Sequence, residues 1–469
     1  MSSTQPSEPH ALHEPVIELP AARRAGKDLS PNMRAIRLTM RVAELQLARG
    51  VGARDVVLQS LDITETYCER RVWFDVVGSL VLASQDRGHD REPLTMIRTV
   101  VTVAQNNMLV QDLQALVKDI VDGLPLAAAE ARLDQIVSAD RSSPVWLRML
   151  GFAGVGAGYA LLFSASWVLI LVTFLLGCLV DQVMRLLNRY GAPPFFVQAA
   201  ASLVITLVAV GVGELGEHGV PPFTDVSPTL VVVAGVVALV AGLTIYATAT
   251  DAIDEFFITA GARFFKTFMM TAGIVAGILV GITVAQAWGS TVAVALEPVP
   301  LGPIPLSLLG AVLTAVAWAV YTQGSRSALL WAGVVSGLGW LAYLATMGWD
   351  DLAAKAIAAL VIGSAAAVVT RLGKTTTIAI VDAAVVALVP GLALLMGLMR
   401  FTGQPTLQSF YLGWQLLLTA LGVAIAIAAG AALGAVVGRP VRSHLRRVRT
   451  AIPLVPTLRR TRPRDSRQQ

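Results

Sequence analysis

Between residues 146 and 437, apolar stretches of about twenty residues alternate with short polar connections. That length matches the ~20 residues with which an α-helix crosses the hydrocarbon core of a bilayer. The pattern predicts ten spans, at 146–163, 166–184, 195–213, 228–249, 267–286, 303–321, 328–347, 352–370, 377–399 and 411–437.

Upstream the pattern is different. Residues 33–49 and 53–66 have helical spacing of apolar positions and are separated by Gly50 and Gly52. Residues 71–84 are rich in Val, Leu, Phe and Trp, and residues 95–103 in Val and Thr. Each predicts one strand, with the polar stretch 85–92 as the connection. Helical spacing resumes at 109–122 and 126–137, on either side of Gly123. About 110 residues suffice for one core, so this region reads as a small α+β domain. Residues 1–30 are rich in Pro, Ser, Glu and His and lack the apolar core of a signal peptide, which predicts a disordered lead.

The fold class expected is therefore a mostly α polytopic membrane protein of about ten transmembrane helices, preceded by a small cytoplasmic α+β domain. The expected division is a lead at 1–32, the α+β domain at 33–143, five-helix membrane units at 144–290 and 300–438, and a basic tail at 439–469.

Composition sharpens this picture. Of 469 residues, 55% are hydrophobic and 14% charged, against about 25% charged in a soluble protein. Residues 1–143 hold 16 Lys and Arg and 19 Asp and Glu, while residues 439–469 hold 10 Arg and one Asp. The 295 residues from 144 to 438 hold only 10 basic and 11 acidic side chains. The Arg-rich tail suits an anionic cytoplasmic leaflet rather than nucleic acid.

Basic residues also set the orientation. With the N-terminal domain in the cytoplasm, the loops on that side contain Arg185, Arg189, Arg263, Lys266, Arg326, Arg371 and Lys374. The opposite loops contain Glu214, Glu217, Asp225, Glu297, Asp350 and Asp351, with Arg400 the one clear basic exception. The bias places both termini in the cytoplasm of a multi-pass cell-membrane protein.

An internal echo is present. Residues 236–243 (VVALVAGL) recur as 385–392 (VVALVPGL), seven of eight positions matching at an offset of 149. The copies fall in the fourth and ninth spans, the same place in each set of five. Leu150-Gly151 and Leu309-Gly310 echo each other more weakly in the first and sixth. Two related sets of five helices must insert upside down relative to each other, so the expectation is a 5+5 inverted repeat, a common build of secondary transporters.

Gly337-Leu338-Gly339-Trp340 and Val389-Pro390-Gly391, together with the N-terminal arrangement around Gly50, Val57, Arg98 and Gly123, resemble the threonine/serine exporter (ThrE) family. The similarity runs over about 33–438. It implies a larger N-terminal unit fused to a smaller membrane unit, exporting small hydroxy amino acids on the proton gradient. Ala241 stands where the family favours proline, which counts against a pronounced break in the fourth helix, while Gly242 keeps close packing open.

Charges inside a bilayer are costly and mark candidate sites. Asp382 lies eight residues before Pro390, where a freed carbonyl and the small Gly391 admit a substrate or another helix. Asp382 is accordingly the first candidate for proton coupling. Asp181 is the second, with an ordinary i,i+4 pair to Arg185 as the alternative. Asp251 and Asp254, with Glu255, resemble a gating collar that Arg263 and Lys266 can balance. Candidates for substrate binding or the helix break are Gly242, Thr244, Tyr246, Pro390 and Gly391. Gln198 is a further substrate candidate, although residues such as Thr244, Tyr246 and Gln198 more often serve as helix–helix hydrogen bonds. Lys355 is expected to snorkel past Asp351.

Other chemistry finds little footing. The five His and two Cys form no metal-ligand spacing, so no metal or cofactor is expected. Gly373-Lys374-Thr375 resembles the end of a P-loop, but Val368 occupies the position of its first glycine. The glycines from 154 to 158 read as a packing face. A membrane-anchored hydrolase remains the alternative, drawing on Cys68, Ser79, Ser84, His89 and Asp90, but no nucleophile motif frames them. A sensor or scaffold role for the N-terminal domain is compatible with transport. The expected partners are a small-molecule substrate such as threonine or serine, protons and anionic lipids. A homo-oligomer fits this reading, and nucleic acid does not.

Overall fold

Ser30 begins the first helix: its hydroxyl accepts from Met33 N at 3.3 Å and Pro31 takes the first helical position. The computed structural model describes residues 30–87, 92–139, 141–163, 166–239, 242–292, 301–372, 375–389, 391–400 and 406–438. The N-terminal unit contains α1 (Pro31–Ala48), α2 (Ala53–Tyr67), β1 (Val72–Val77), β2 (Leu80–Gln85), β3 (Leu94–Thr99), α3 (Asn107–Val121) and α4 (Leu126–Ser138).

Residues 71–84, expected as one strand, form two. Gly78, at φ +62°, turns the chain, and β1 pairs antiparallel with β2 in the register Val76↔Val81 and Val72↔Gln85. A two-residue hairpin turn needs positive φ, which glycine adopts without strain. The stretch is apolar on both sides of the turn, so composition hides the reversal. β3 completes an antiparallel sheet in the order β1-β2-β3 and is shorter than expected, because residues 100–106 leave the ladder. Val72, Phe74 and Val76 of β1 and Val81 and Ala83 of β2 pack on Ile36, Met40 and Val56 from α1 and α2.

Among the described residues, eight helices are long and apolar enough to cross a membrane: α5 (Val145–Phe163), α6 (Trp167–Arg189), α7 (Pro194–Glu217), α10 (Phe257–Ala287), α11 (Ile304–Tyr321), α12 (Arg326–Thr346), α13 (Asp351–Leu372) and α16 (Leu407–Val437). Their outer faces are apolar. On α6, Leu171, Leu175, Leu179 and Leu186 all stand exposed, a stripe that a soluble surface seldom carries and that lipid accepts.

The fourth and ninth predicted spans are each interrupted. The fourth divides into α8 (Pro228–Val237) and α9 (Gly242–Ile253). The ninth divides into α14 (Thr377–Val385), a 3₁₀ turn (Val386–Leu388) and α15 (Gly391–Met399). Thus the fourth helix breaks although Ala241 stands in place of proline. β-Branched Val236 and Val237 followed by Gly242 weaken helix there without one, and Leu239 N closes a tight turn on Val236 O at 2.8 Å. Pro390 and Ala241 themselves lie outside the described residues.

The most extensive helix–helix packing joins α7 with α10, α13 with α16, and α5 with α11. α10 and α16 each run for 31 residues. Glycines set these close approaches. A methyl group added at Gly281 would lie 2.8 Å from Thr206 Cβ, and one at Gly434 would lie 2.8 Å from Ser364 N. Without a hydrophobic drive between helices in lipid, such backbone proximity is a main source of association.

Candidate functional site

A cavity of about 1080 Å³ lies where the N-terminal unit meets the helices. Its walls come from both. α2 contributes Asp55, Gln59 and Asp62, and α3 contributes Gln114 and Lys118. The helices contribute Tyr159, Gln198, Tyr246, Thr250, Asp251, Arg263, Lys266, Trp318, Tyr321 and Asp382. Both interrupted helices reach this space, through Val237, Leu239 and Tyr246 on one side and Asp382, Val386 and Val389 on the other.

Asp251 anchors the junction. It is 2% exposed, its Oδ2 lies 3.1 Å from Arg263 Nε, and its Oδ1 accepts from Ala53 N at 3.4 Å. Ala53 is the first residue of α2, whose N-cap, Gly52, supplies no side-chain acceptor. A carboxylate from a membrane helix therefore satisfies an orphan amide of a helix in the N-terminal unit, where the dipole also favours negative charge. Asp254 pairs with Arg54 at 2.6 Å on the same interface. Thr259 Oγ1 donates to Val76 O at 3.1 Å and accepts from Gly78 N at 3.1 Å, which fixes the β1–β2 hairpin against α10.

A second junction involves the connection between α11 and α12. Asn107 N donates to Thr322 O at 3.0 Å and Met108 N to Gln323 O at 3.2 Å. The buried Gln323 side chain donates to Gln105 O at 3.0 Å and accepts from Ser143 N at 2.8 Å.

Among the described residues that line this space, Gln198 Oε1, on a residue 8% exposed, and Trp318 Nε1 are buried without a hydrogen-bond partner. Buried polar atoms are rarely left unpaired. An unpaired acceptor and an unpaired donor on cavity-lining residues match a ligand's ammonium or hydroxyl and its carboxylate. Tyr321 stacks between Phe152 and Trp318, with ring centroids 5.4 and 5.5 Å away.

The structure brings Asp382, Tyr246, Asp251 and Gln198 onto one cavity. Asp181 is elsewhere: it is nearly buried on α6 and holds Arg185 Nε at 2.7 Å, the ordinary pair one turn on. Gly242 opens α9 and Gly391 opens α15, so each starts the second piece of an interrupted helix. Thr244 lies in the first turn of α9. Lys355 pairs with Asp351 at 2.7 Å. Asp55, Trp318 and Tyr321 join the site without having been candidates. Asp55 reads in the sequence as the polar face of a soluble helix, and only the docking of that helix turns it towards the cavity. Among the described residues, the would-be hydrolase groups Cys68, Ser79 and Ser84 form no hydrogen bond with one another. Ser79 sits in the hairpin turn, Ser84 lies 3.4 Å from Thr95 Oγ1, and burial pushes the Cys68 thiol up to about 11. His89 and Asp90 lie outside the described residues.

Comparison with known proteins agrees with this architecture. Residues 37–285 match the family model described as putative threonine/serine exporter, and residues 307–437 match the one described as threonine/serine exporter, ThrE. The chain is 28% identical over 440 residues to the probable threonine/serine exporter of Mycobacterium tuberculosis (strain ATCC 25618 / H37Rv), covering 90% of this chain and 81% of that protein. It is 26% identical over 420 residues to the threonine/serine exporter of Corynebacterium glutamicum, covering 87% and 83%. No solved structure matches it. The first family model alone spans more than half of the chain, and the second takes up most of the helices after it. This multi-pass membrane protein belongs to the threonine/serine exporter (ThrE) family.

Proposed function

We propose that this chain exports small hydroxy amino acids, threonine and serine, from the cytosol in exchange for protons. The observation that carries the reading is the cavity. It presents carboxylates (Asp55, Asp382), cations (Arg263, Lys266) and unpaired hydrogen-bonding atoms in one space next to two interrupted helices. A zwitterion with a short polar side chain needs both signs of charge and a few polar partners. The names of the relatives point to the same substrates.

Asp382 is the proton-coupling residue in this reading, because it is the carboxylate on the second interrupted helix that lines the cavity. Asp181, already paired with Arg185, is secondary. Gly242, Thr244, Tyr246, Pro390 and Gly391 form the substrate-binding breaks, and Asp251 with Asp254 forms the gate between the N-terminal domain and the helices. The two sets of five helices are inverted repeats, each with its interrupted fourth helix, and alternating access comes from one set rocking on the other. Support for the repeat comes from the matching pairs α7–α10 and α13–α16 and from breaks at equivalent positions of the 149-residue echo. The basic connections put both termini in the cytoplasm, with the Arg-rich tail on anionic lipid. Residues 33–143 form the cytoplasmic domain and 144–290 and 300–438 the membrane units, in an assembly open to homo-oligomers. No observation favours a hydrolase.

The test is counterflow of labelled threonine in proteoliposomes with and without a pH gradient. Asp382→Asn should abolish stimulation by the gradient while leaving threonine exchange measurable. Gradient-driven transport unchanged in Asp382→Asn would remove Asp382 from the coupling step.

A further inference from the structure

Helix α2 buries Val56, Ser60 and Ile63 in the N-terminal core and presents Asp55, Gln59 and Asp62, spaced i, i+4 and i+7, to the cavity. A helix at a domain surface would ordinarily give that face to water. Here the face closes part of the space that Arg263, Lys266 and Gln198 line from the membrane side. Asp55 is the member of this face close enough to interact electrostatically with both Asp382 and Tyr246. The capping of Ala53 N by Asp251 fixes the first turn of α2, and Asp55 lies in that turn. Its carboxylate is thus held in position by the membrane helices.

We propose that Asp55 is a specificity-determining residue of the transport site: its carboxylate receives the α-ammonium group of the amino acid on the cytosolic side, while Arg263 and Lys266 receive the α-carboxylate. This rests on the export reading above and adds that the N-terminal domain is part of the substrate site. Arg263 and Lys266 on α10 face Asp55 and Asp62 on α2 across a lining that also carries Lys118, Asp251 and Asp382, so both signs of charge are on hand for a zwitterion. Gln198, whose Oε1 has no hydrogen-bond partner, lines the same cavity and is the partner assigned to the side-chain hydroxyl. A charge-assisted hydrogen bond from ammonium to carboxylate is about twice as strong as a neutral one. Its loss should be read mainly in binding.

The test uses the full-length protein in proteoliposomes, with L-threonine and its 2-hydroxy analogue, 2,3-dihydroxybutyrate, as probes. Asp55→Asn should raise KM for threonine by about tenfold or more at an unchanged maximal rate, the equivalent of one lost charged contact. Asp55→Glu should restore most of the affinity. Preference for threonine over the 2-hydroxy analogue should fall in Asp55→Asn and return in Asp55→Glu. A threonine KM within about twofold of the parent, or a preference that Asp55→Asn does not change, overturns the proposal. A parent chain without threonine counterflow instead refutes the export reading. Should Asp55→Asn not fold, Asp55→Cys in a chain whose two cysteines are replaced by serine gives the same information. Threonine must slow modification of that thiol by a cationic thiosulfonate, and an unaltered rate overturns the proposal.

Discussion

Replacing Asp251 by alanine tests the junction between the N-terminal unit and the helices. The side chain is 2% exposed and its partner Arg263 is 20% exposed. Removing one member of a buried ion pair costs about 3–5 kcal/mol, because the other charge is left uncompensated. Arg263 borders the cavity and is 20% exposed, so solvent screening brings the cost just below that range, to about 2–3 kcal/mol. Loss of the acceptor for Ala53 N adds about 1 kcal/mol, as for other N-terminal caps. Asp251→Ala should therefore destabilise the full-length protein by about 3–4 kcal/mol. Asp251→Asn keeps an acceptor for the amide and should lose about 2–3 kcal/mol. The double variant Asp251→Ala, Arg263→Ala should recover about 2 kcal/mol relative to the sum of the single ones. The assay is reversible unfolding in mixed micelles by SDS titration, followed by tryptophan fluorescence. Strict additivity in the cycle, or an Asp251→Ala change below about 0.5 kcal/mol, would refute the reasoning.

Further outcomes follow from other parts of the molecule. Gly434→Leu should prevent close packing of α16 on α13 and cost about 3 kcal/mol or more, seen as lost monodisperse protein in detergent; Gly211→Ala, with nothing within 4 Å, should be tolerated. Arg54→Ala breaks a pair whose arginine is 60% exposed, so its effect on the same SDS titration should stay below about 1 kcal/mol. Cys68 ionises near 9.0 when exposed and at about 11 in the fold, so its thiolate is disfavoured by burial. Native stability is therefore fully present below pH 9 and declines as pH rises from about 9 to about 11. Iodoacetamide at pH 8 should alkylate Cys68 far more slowly in the native than in the unfolded chain, as mass spectrometry will show, and equal rates would contradict the burial.

The spans were legible because a bilayer imposes a length on apolar sequence, and eight of the ten appear as continuous helices close to their expected limits. The fifth begins ten residues earlier than expected, at Phe257 rather than 267, because Arg263 and Lys266 depress the apolar signal without preventing helix. The break in the ninth helix was legible through Pro390. The break in the fourth was not, because valine and glycine are common in helices that stay whole in lipid. The hairpin at Gly78 was hidden by an unbroken apolar run. Within the site, Asp382 and Tyr246 could be nominated from their membrane setting. Asp55 could not, since its role comes from a docking contact about 200 positions away in sequence, between Ala53 and Asp251. Asp181 shows the opposite: a charge in an apolar helix whose neighbour one turn on already accounts for it.

The N-terminal unit holds both halves of the membrane region at once. It grips the first through Asp251, Asp254 and Thr259 and the second through Thr322 and Gln323. If the proposed rocking moves these two groups of helices against each other, a body bonded to both acts as a strut. Either one set of bonds opens during each cycle, or α2 and α3 must shift with the helices they touch. Within the first set the Arg54–Asp254 pair is exposed on one side, so it is the contact that yields first, ahead of the buried Asp251, Thr259 and Gln323 bonds. A disulfide across the Gln105–Gln323 contact should be tolerated during turnover, whereas one across Arg54 and Asp254 should arrest the cycle with the strut locked in place.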